Sequence, residues 1–295
     1  MEDLIVAFLR SGTPLVYVTL AGVIAQRAGI WHLGLEGMMI TGACATILGI
    51  VLAQSVVVGL LAGAVFCCLL ALLFWFVVEV LKANQIIAGL GLTGLGLGGT
   101  ALALTAIFGS EGAVSASFGL PRLGPAFGAF GGLSVLVAAM PFVVFACWLL
   151  LCRTRFGLRL AACGEHPFAA RATGVNPGTM RLVALLLGGP LCALGGAELA
   201  AGSLQIFSVN MTAGRGFMSF AAVIFGAGHP LGATLASFFF ALVGALGIRA
   251  QLSYGDRIPS SLLLALPYVA TVAGLWLSAR MRGGNAASSR ELGQQ

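Results

Sequence analysis

The chain has 15 Lys and Arg residues in 295. Five of the arginines (Arg153, Arg155, Arg159, Arg171 and Arg181) crowd into or beside one stretch, TRFGLRLAACGEHPFAARATGV at 154–175, where Glu165 is the only acid. Clustered guanidinium groups suit carboxylates, phosphates and lipid head groups, so this stretch is a place where something docks. Two further acids, Glu36 and Glu198, lie inside apolar runs. An isolated charge there costs about 2.5–3.5 kcal/mol even on the mildest scales. Each must therefore meet a partner, face a cavity or carry a proton. For Glu36 two roles stay open, a place beside a translocation path and the capping of a neighbouring helix end. Glu198 is expected to snorkel or to bridge helices.

The residue sets of an enzyme do not assemble. There is no H-E-x-x-H and no G-x-S-x-G, and His32, His166 and His229 all fall at the edges of apolar runs. No catalytic residue is therefore assigned. The seven cysteines lack metal-ligand spacing and read as small core residues, so no metal site is assigned either. A literal G-x-G-x-x-G at Gly89, Gly91 and Gly94 sits inside one continuous apolar run, where no βαβ unit can form. It reads as helix packing, as do Gly59-xxx-Gly63 and Gly94-xxx-Gly98. No G-x-x-x-x-G-K-[ST] occurs, so no P-loop cradles ATP phosphates on this chain.

The elements that position these residues follow from composition. Charged residues are 8% of the chain, against about 25% in a soluble domain. Hydrophobic residues are 59% and the mean hydropathy is +1.05. The fold class is an all-α polytopic membrane protein, a bundle of about 8–10 transmembrane helices. Apolar runs lie at 13–25, 33–53, 55–78, 85–108, 134–152, 182–201, 231–248 and 262–279, with a short one at 217–228. The last of these is too short to cross alone; it either borrows from 205–216 or is a half-helix beside a loop. Residues 1–279 read as one transmembrane domain and 280–295 as a basic tail expected to be disordered.

The net charge of +6 belongs to loops between spans, which argues against nucleic acid as a partner and for cytoplasmic loops. By this rule 153–181 and the tail with Arg280, Arg282 and Arg290 are cytoplasmic, as is the C-terminus. Segment 79–84 shares that side and 109–133 faces the other. The first residues, MEDLIVAFLRSG, carry acids where a cleavable signal has a basic region, so the first span is expected to act as the targeting element. Within the arginine-rich loop, Pro167 suits a first helical turn, His166 its N-cap and Gly174 its left-handed end. An ordinary solvated loop is the alternative from local physics alone.

Three long stretches carry a resemblance. HLGLEGMMITGA (32–43), TRFGLRLAACGEHPFAARATGV (154–175) and AGRGFMSFAAVIFGAGHPLGA (213–233) are similar in order and content to the permease subunits of ATP-binding cassette importers for simple sugars and nucleosides, in the branched-chain amino acid and ribose-type permease family. The LGLEGMM form is closest to the nucleoside branch. His32, His166 and His229 stand where that family more often has Asn.

The resemblance implies a cytoplasmic coupling helix that enters a groove on a separate ATPase. It lies within Arg159, Gly164, Glu165, His166, Pro167, Ala169, Ala170 and Gly174, the two alanines giving small side chains for close seating. It also implies several partners: that ATPase, a second permease subunit (a sister or a copy), an external solute-binding protein, the bilayer, and a nucleoside or sugar. ATP and Mg would sit on the ATPase, with no cofactor on this chain. The location implied is the bacterial inner membrane. Glu36, Asn210, Phe217 and Phe220 are the candidates for the translocation path, since aromatic faces suit sugars and bases. The rival reading is an ion-coupled secondary transporter, which explains broken spans and intramembrane acids equally well. It does not explain a short capped helix in a basic loop.

Overall fold

The computed structural model describes residues 2–109, 112–254 and the single position 269. Apart from that position, the expected span at 262–279 lies outside the described residues. So do the tail at 280–295, with Arg280, Arg282 and Arg290, and the side on which the C-terminus falls.

Ten α-helices follow one another: α1 (Glu2–Arg27), α2 (Leu35–Ala53), α3 (Val56–Trp75), α4 (Gln85–Phe108), α5 (Val135–Arg153), α6 (Arg155–Glu165), α7 (Pro167–Ala172), α8 (Pro177–Ala197), α9 (Arg215–Phe225) and α10 (Pro230–Tyr254). Two three-residue strands, β1 (Ala113–Ser115) and β2 (Ile206–Ser208), pair antiparallel with Val114 opposite Phe207. Many boundaries are set by short polar side chains. Asn84, Ser134, Thr154 and Asn176 each accept an amide N–H of the helix they precede. At the far ends of α2 and α4 the chain turns off through Gln54 and Gly109 in the left-handed region. α3 and α8 tighten no further but widen into π turns, Phe76–Val80 and Glu198–Leu204.

Seven helices among the described residues are long and apolar enough to cross a bilayer, and α9 is a shorter apolar helix. The chain is a multi-pass membrane protein. Residues 2–10 continue α1 without a break.

Contacts sort the loops onto two ends. At one end Arg181 Nη1 meets Glu79 Oε2 at 2.9 Å and Arg181 Nε donates to Ala28 O. There too Arg27 Nε donates to Gly228 O at 2.8 Å and Gln85 Oε1 accepts from Trp31 N. Segments 28–34, 79–84, 153–181 and 226–229 therefore share the arginine-rich end. At the opposite end lie the β1–β2 pair, Ala116 N donating to Gln205 O, and Arg10 donating to Gly132 O.

α9 does not cross. It starts inside the bundle and its last turn reaches Gly228 at the arginine-rich end. α2 also starts inside. Gly34 packs against Leu92, seven residues along α4 from Gln85, or roughly 10 Å at the helical rise. The non-helical segment 209–214 thus runs within the bundle with Asn210 and Ala213 exposed, irregular backbone of the kind a membrane protein tolerates only against protein or a water-filled cavity.

α1, α2 and α8 are the most buried spans and pack on one another. α3, α4, α5 and α10 are more open, and α3 presents Val57, Leu61, Val65 and Leu69 outward. Glycines set the closest crossings. A Cβ on Gly37 would stand 2.7 Å from Thr93 Cα, and one on Gly49 would stand 2.7 Å from Gly59 Cα. Gly59 and Gly63 pack against α2 as their spacing suggests. Gly94 and Gly98 do not pack: nothing lies within 4 Å of a Cβ at either position. The glycines of α4 that pack are Gly89 and Gly96, which share the buried side with Leu92 and Thr93.

Candidate functional site

The arginine-rich stretch folds as an elbow of two helices. Thr154 starts α6, donating its hydroxyl to Leu150 O and accepting from Gly157 N at 3.2 Å. Gly157, Leu160 and Cys163 form the buried stripe of α6, three residues apart. Burial pushes the Cys163 thiol up from its ordinary range, with Arg181 opposing. Gly164 is required where it stands, because a Cβ there would stand 2.8 Å from Gly29 N, at the turn that ends α1.

His166 is the hinge. Its N–H closes α6 on Ala162 O and its carbonyl accepts from Ala170 N, both at 3.0 Å. Its side chain makes no cap bond. Pro167 takes the first position of α7. At the other end Gly174 has φ +83°, and Val175 N returns to Ala170 O at 3.0 Å. The elbow is more helical than a loop: α6 carries no proline, and its buried and basic positions alternate at helical spacing.

The two alanines do not share a face. Ala170 is 4% exposed and turned onto the bundle, while Ala169 is open. The group that stands out is Phe168, 85% exposed, a residue that sequence reasoning passed over. Its signal was an aromatic directly after the helix-starting proline in an otherwise basic, small-residue segment. Arg159, Glu165, His166, Ala169, Arg171 and Gly174 are exposed around it. Arg181 belongs to another task, since it ties α8 to Glu79 and Ala28. A cleft of about 360 Å³ between α1, α6 and the α9–α10 turn has Arg27 and Glu165 on its walls.

The second region is centred on Glu36, the second residue of α2 and 2% exposed. Its Oε1 accepts from Thr212 Oγ1 at 2.5 Å and from Gly214 N at 3.0 Å, and its Oε2 accepts from Gly216 N at 2.5 Å. Gly214, the N-cap of α9, has no side chain to offer. Glu36 supplies that cap from another helix, placing a carboxylate on the positive end of α9. Gly216 is obligatory, since a Cβ there would stand 2.5 Å from Glu36 N. The quoted stretches 32–43 and 213–233 are thus in contact through one carboxylate, which faces no open space.

Phe217 and Phe220 share the open face of α9, with Phe217 38% exposed. Asn210 is exposed in the turn before it, at φ +61°. Glu36 is not on that face. Trp31, not singled out from sequence, is 50% exposed and meets Phe220 edge-on at 6.2 Å. Its neighbour His32 is buried against Phe74 and Met38, and desolvation pushes its pKa down to about 4. Glu198 is buried at the start of the second π turn, where the Ser134 hydroxyl donates to its carboxylate. It joins α8 to the start of α5, an interhelical role and not a snorkelling one.

Residues 4–279 match the family described as branched-chain amino acid transport system / permease component. The chain is 33% identical to the nucleoside ABC transporter permease protein NupC of Lactococcus lactis, over 94% of this chain and 92% of that one. It is 31% identical to the guanosine ABC transporter permease protein NupQ of Bacillus subtilis, over 93% and 91%. With the putative glucose ABC transporter permease protein TsgC13 of Haloferax volcanii it shares 31% over 91% of this chain and 81% of that one. No solved structure gives a significant match.

Proposed function

From the premise that this chain belongs to the permease components of branched-chain amino acid-type transport systems, we propose that it is the membrane subunit of an ATP-driven importer of nucleosides or simple sugars. Nucleosides are preferred, as the printed names of two end-to-end relatives are nucleoside and guanosine permeases. The observation that carries the reading is the elbow. A short helix is closed at one end by Gly174 and joined at the other to α6, whose Gly164 abuts the end of α1, yet it presents a bare phenylalanine and an arginine outward. Exposed large apolar groups in a charged setting mark a protein contact.

In this reading α7 seats in a groove of an ATPase subunit, with Phe168 as the anchor and Arg159 and Arg171 meeting acidic groups around it. ATP and Mg sit on that ATPase. When it closes on nucleotide, α7 moves with it. α6, wedged at Gly164 against the end of α1, passes the motion to the spans as a rigid tilt. A second permease subunit completes the pore, and an external binding protein delivers solute at the end that carries β1 and β2. The arginine-rich end, with the C-terminus, is then cytoplasmic and the membrane is the bacterial inner membrane. Phe217, Phe220 and Asn210 line part of the solute path, with Trp31 edge-on beside them.

The test is gentle detergent extraction of the intact protein and of a Glu165→Ala, Pro167→Gly variant, followed by identification of what co-purifies. The expected result is an ATP-binding subunit recovered with the intact protein and lost with the variant, and guanosine uptake that stops when ATP is withheld. Recovery of the chain alone, with uptake driven by an ion gradient, would overturn the reading in favour of a secondary transporter.

A further inference from the structure

α5 and α10 leave between them an apolar groove of about 530 Å³, walled by Met140, Val144 and Trp148 on one side and by Leu231, Thr234 and Phe238 on the other. Its chemistry changes within one turn at the arginine-rich end. The Arg153 guanidinium lies 5.5 Å from the centroid of the Trp148 ring. The two ion pairs among the described residues, Lys82–Glu79 and Arg181–Glu79, both leave Arg153 aside. α10 begins at Pro230, next to the groove residue Leu231, so the positive end of that helix is at the same level. Exposed His229, one residue earlier, has its Nε2 4.0 Å from Cys152 Sγ, the neighbour of Arg153.

An apolar slot at membrane depth that ends in an aromatic ring, an arginine and a helix N-terminus matches one kind of molecule. We propose that this groove binds a phospholipid with an anionic headgroup, one acyl chain lying in the slot and the phosphate at Arg153. The inference is independent of the transport reading above. An aromatic ring at the level of the headgroups and a basic side chain between helices are the ordinary means of holding such a lipid.

A second apolar groove of about 470 Å³, lined by Cys44, Leu48, Phe66 and Leu95 among others, provides the contrast. It is built from α2, α3 and α4, which contain no Lys or Arg at all. It can hold an acyl chain but cannot choose a headgroup. The run 262–279 is no better occupant for the α5–α10 groove. It contains no carboxylate and is followed by Arg280 and Arg282, so it brings Arg153 no counter-charge.

The experiment uses the full chain with Trp31, Trp75 and Trp276 changed to Phe, leaving Trp148 as the reporter in the groove wall. It is reconstituted in phosphatidylcholine vesicles containing a small fraction of brominated phosphatidylglycerol or brominated phosphatidylcholine. Trp148 fluorescence should be quenched at about fivefold lower content of the brominated anionic lipid, the factor that one basic residue contributes at an anionic surface. Arg153→Gln should remove the preference and Arg153→Lys should retain most of it. Thr234→Phe, which fills the slot, should weaken quenching by both lipids.

Raising salt to about 1 M removes the preference without any substitution at the site, because screening is then complete within a few ångströms. Equal quenching by the two lipids would overturn the proposal. So would no quenching by either, as when another part of the chain fills the slot. A preference that survives Arg153→Gln, or that is abolished by millimolar inorganic phosphate alone, would also count against it.

Discussion

The Glu36 hub and the α6–α7 elbow both gather charge and glycine, and they treat charge in opposite ways. At the hub one carboxylate is 2% exposed and is met by three donors from a single helix start. Nothing is left over for a ligand. At the elbow Arg155, Arg159 and Arg171 lie open around an uncovered Phe168, and no side-chain hydrogen bond caps the start of α7. A buried carboxylate met by three donors holds two helix starts together, whereas exposed charge around an exposed aromatic is the setting of a protein contact. The difference separates a device that joins two helix starts from the surface that we propose meets another protein.

The largest effect expected is at the hub. Glu36→Ala strands the Thr212 hydroxyl and two amides inside the bundle and should cost about 1–3 kcal/mol for each donor left unsatisfied, with Glu36→Gln costing less. Melting in detergent reads it, and an unchanged melting temperature would break the comparison, leaving Glu36 free for the solute path. Next is His32 in the segment beside the hub. Its pKa is pushed from its ordinary 6.5 down to about 4 by burial, so the unfolded chain takes up its proton first.

Stability linked to His32 is complete above pH 6.5 and is lost as pH falls towards 4, in total about 3 kcal/mol. His32→Asn should flatten that part of the pH–melting curve. A curve of the same shape in both proteins would mean the ring is reached by water.

At the elbow the sign of the experiment reverses. Phe168→Ala should leave stability within about 0.5 kcal/mol and weaken recovery of the ATPase roughly 30-fold, the scale of one anchoring aromatic. A strong loss of stability instead would make Phe168 a packing residue. The smallest effect tests the seat of α6 on the bundle, with the end of α5 as the reference. Exposed Cys152 should react readily with a maleimide while buried Cys163 stays unreactive, until α6 is pulled from the bundle. Equal labelling of both would show that α6 does not rest there.

Much of this arrangement was readable in the sequence. The bounds of α7 followed from Pro167 and Gly174, because a residue without an N–H and a residue without a Cβ each fit only one side of a helix end. The run 217–228 was recognisable as too short to cross alone, though not as a half-helix rather than a span that borrows from 205–216. α6 was not read, although its buried Gly157, Leu160 and Cys163 recur at helical spacing opposite the arginines. Nor was the inward turn of Ala170, because a six-residue helix has no side until it is docked. The choice among the α4 glycines had the same origin: Gly94 and Gly96 differ in nothing local, only in which one meets Gly37.

The sequence by itself determined that this chain lives in a bilayer, where its spans run, and which loops gather the arginines. Those properties come from transfer energies and local backbone preferences, which each residue carries with it. Only the tertiary structure decided what Glu36 is for, that α2 and α9 meet start to start inside the bundle, and that Phe168 is left bare while Ala170 is turned inward. A carboxylate has lone pairs but no address. The donors that satisfy Glu36 are more than 170 positions away in the chain, and only folding brings them within hydrogen-bonding distance.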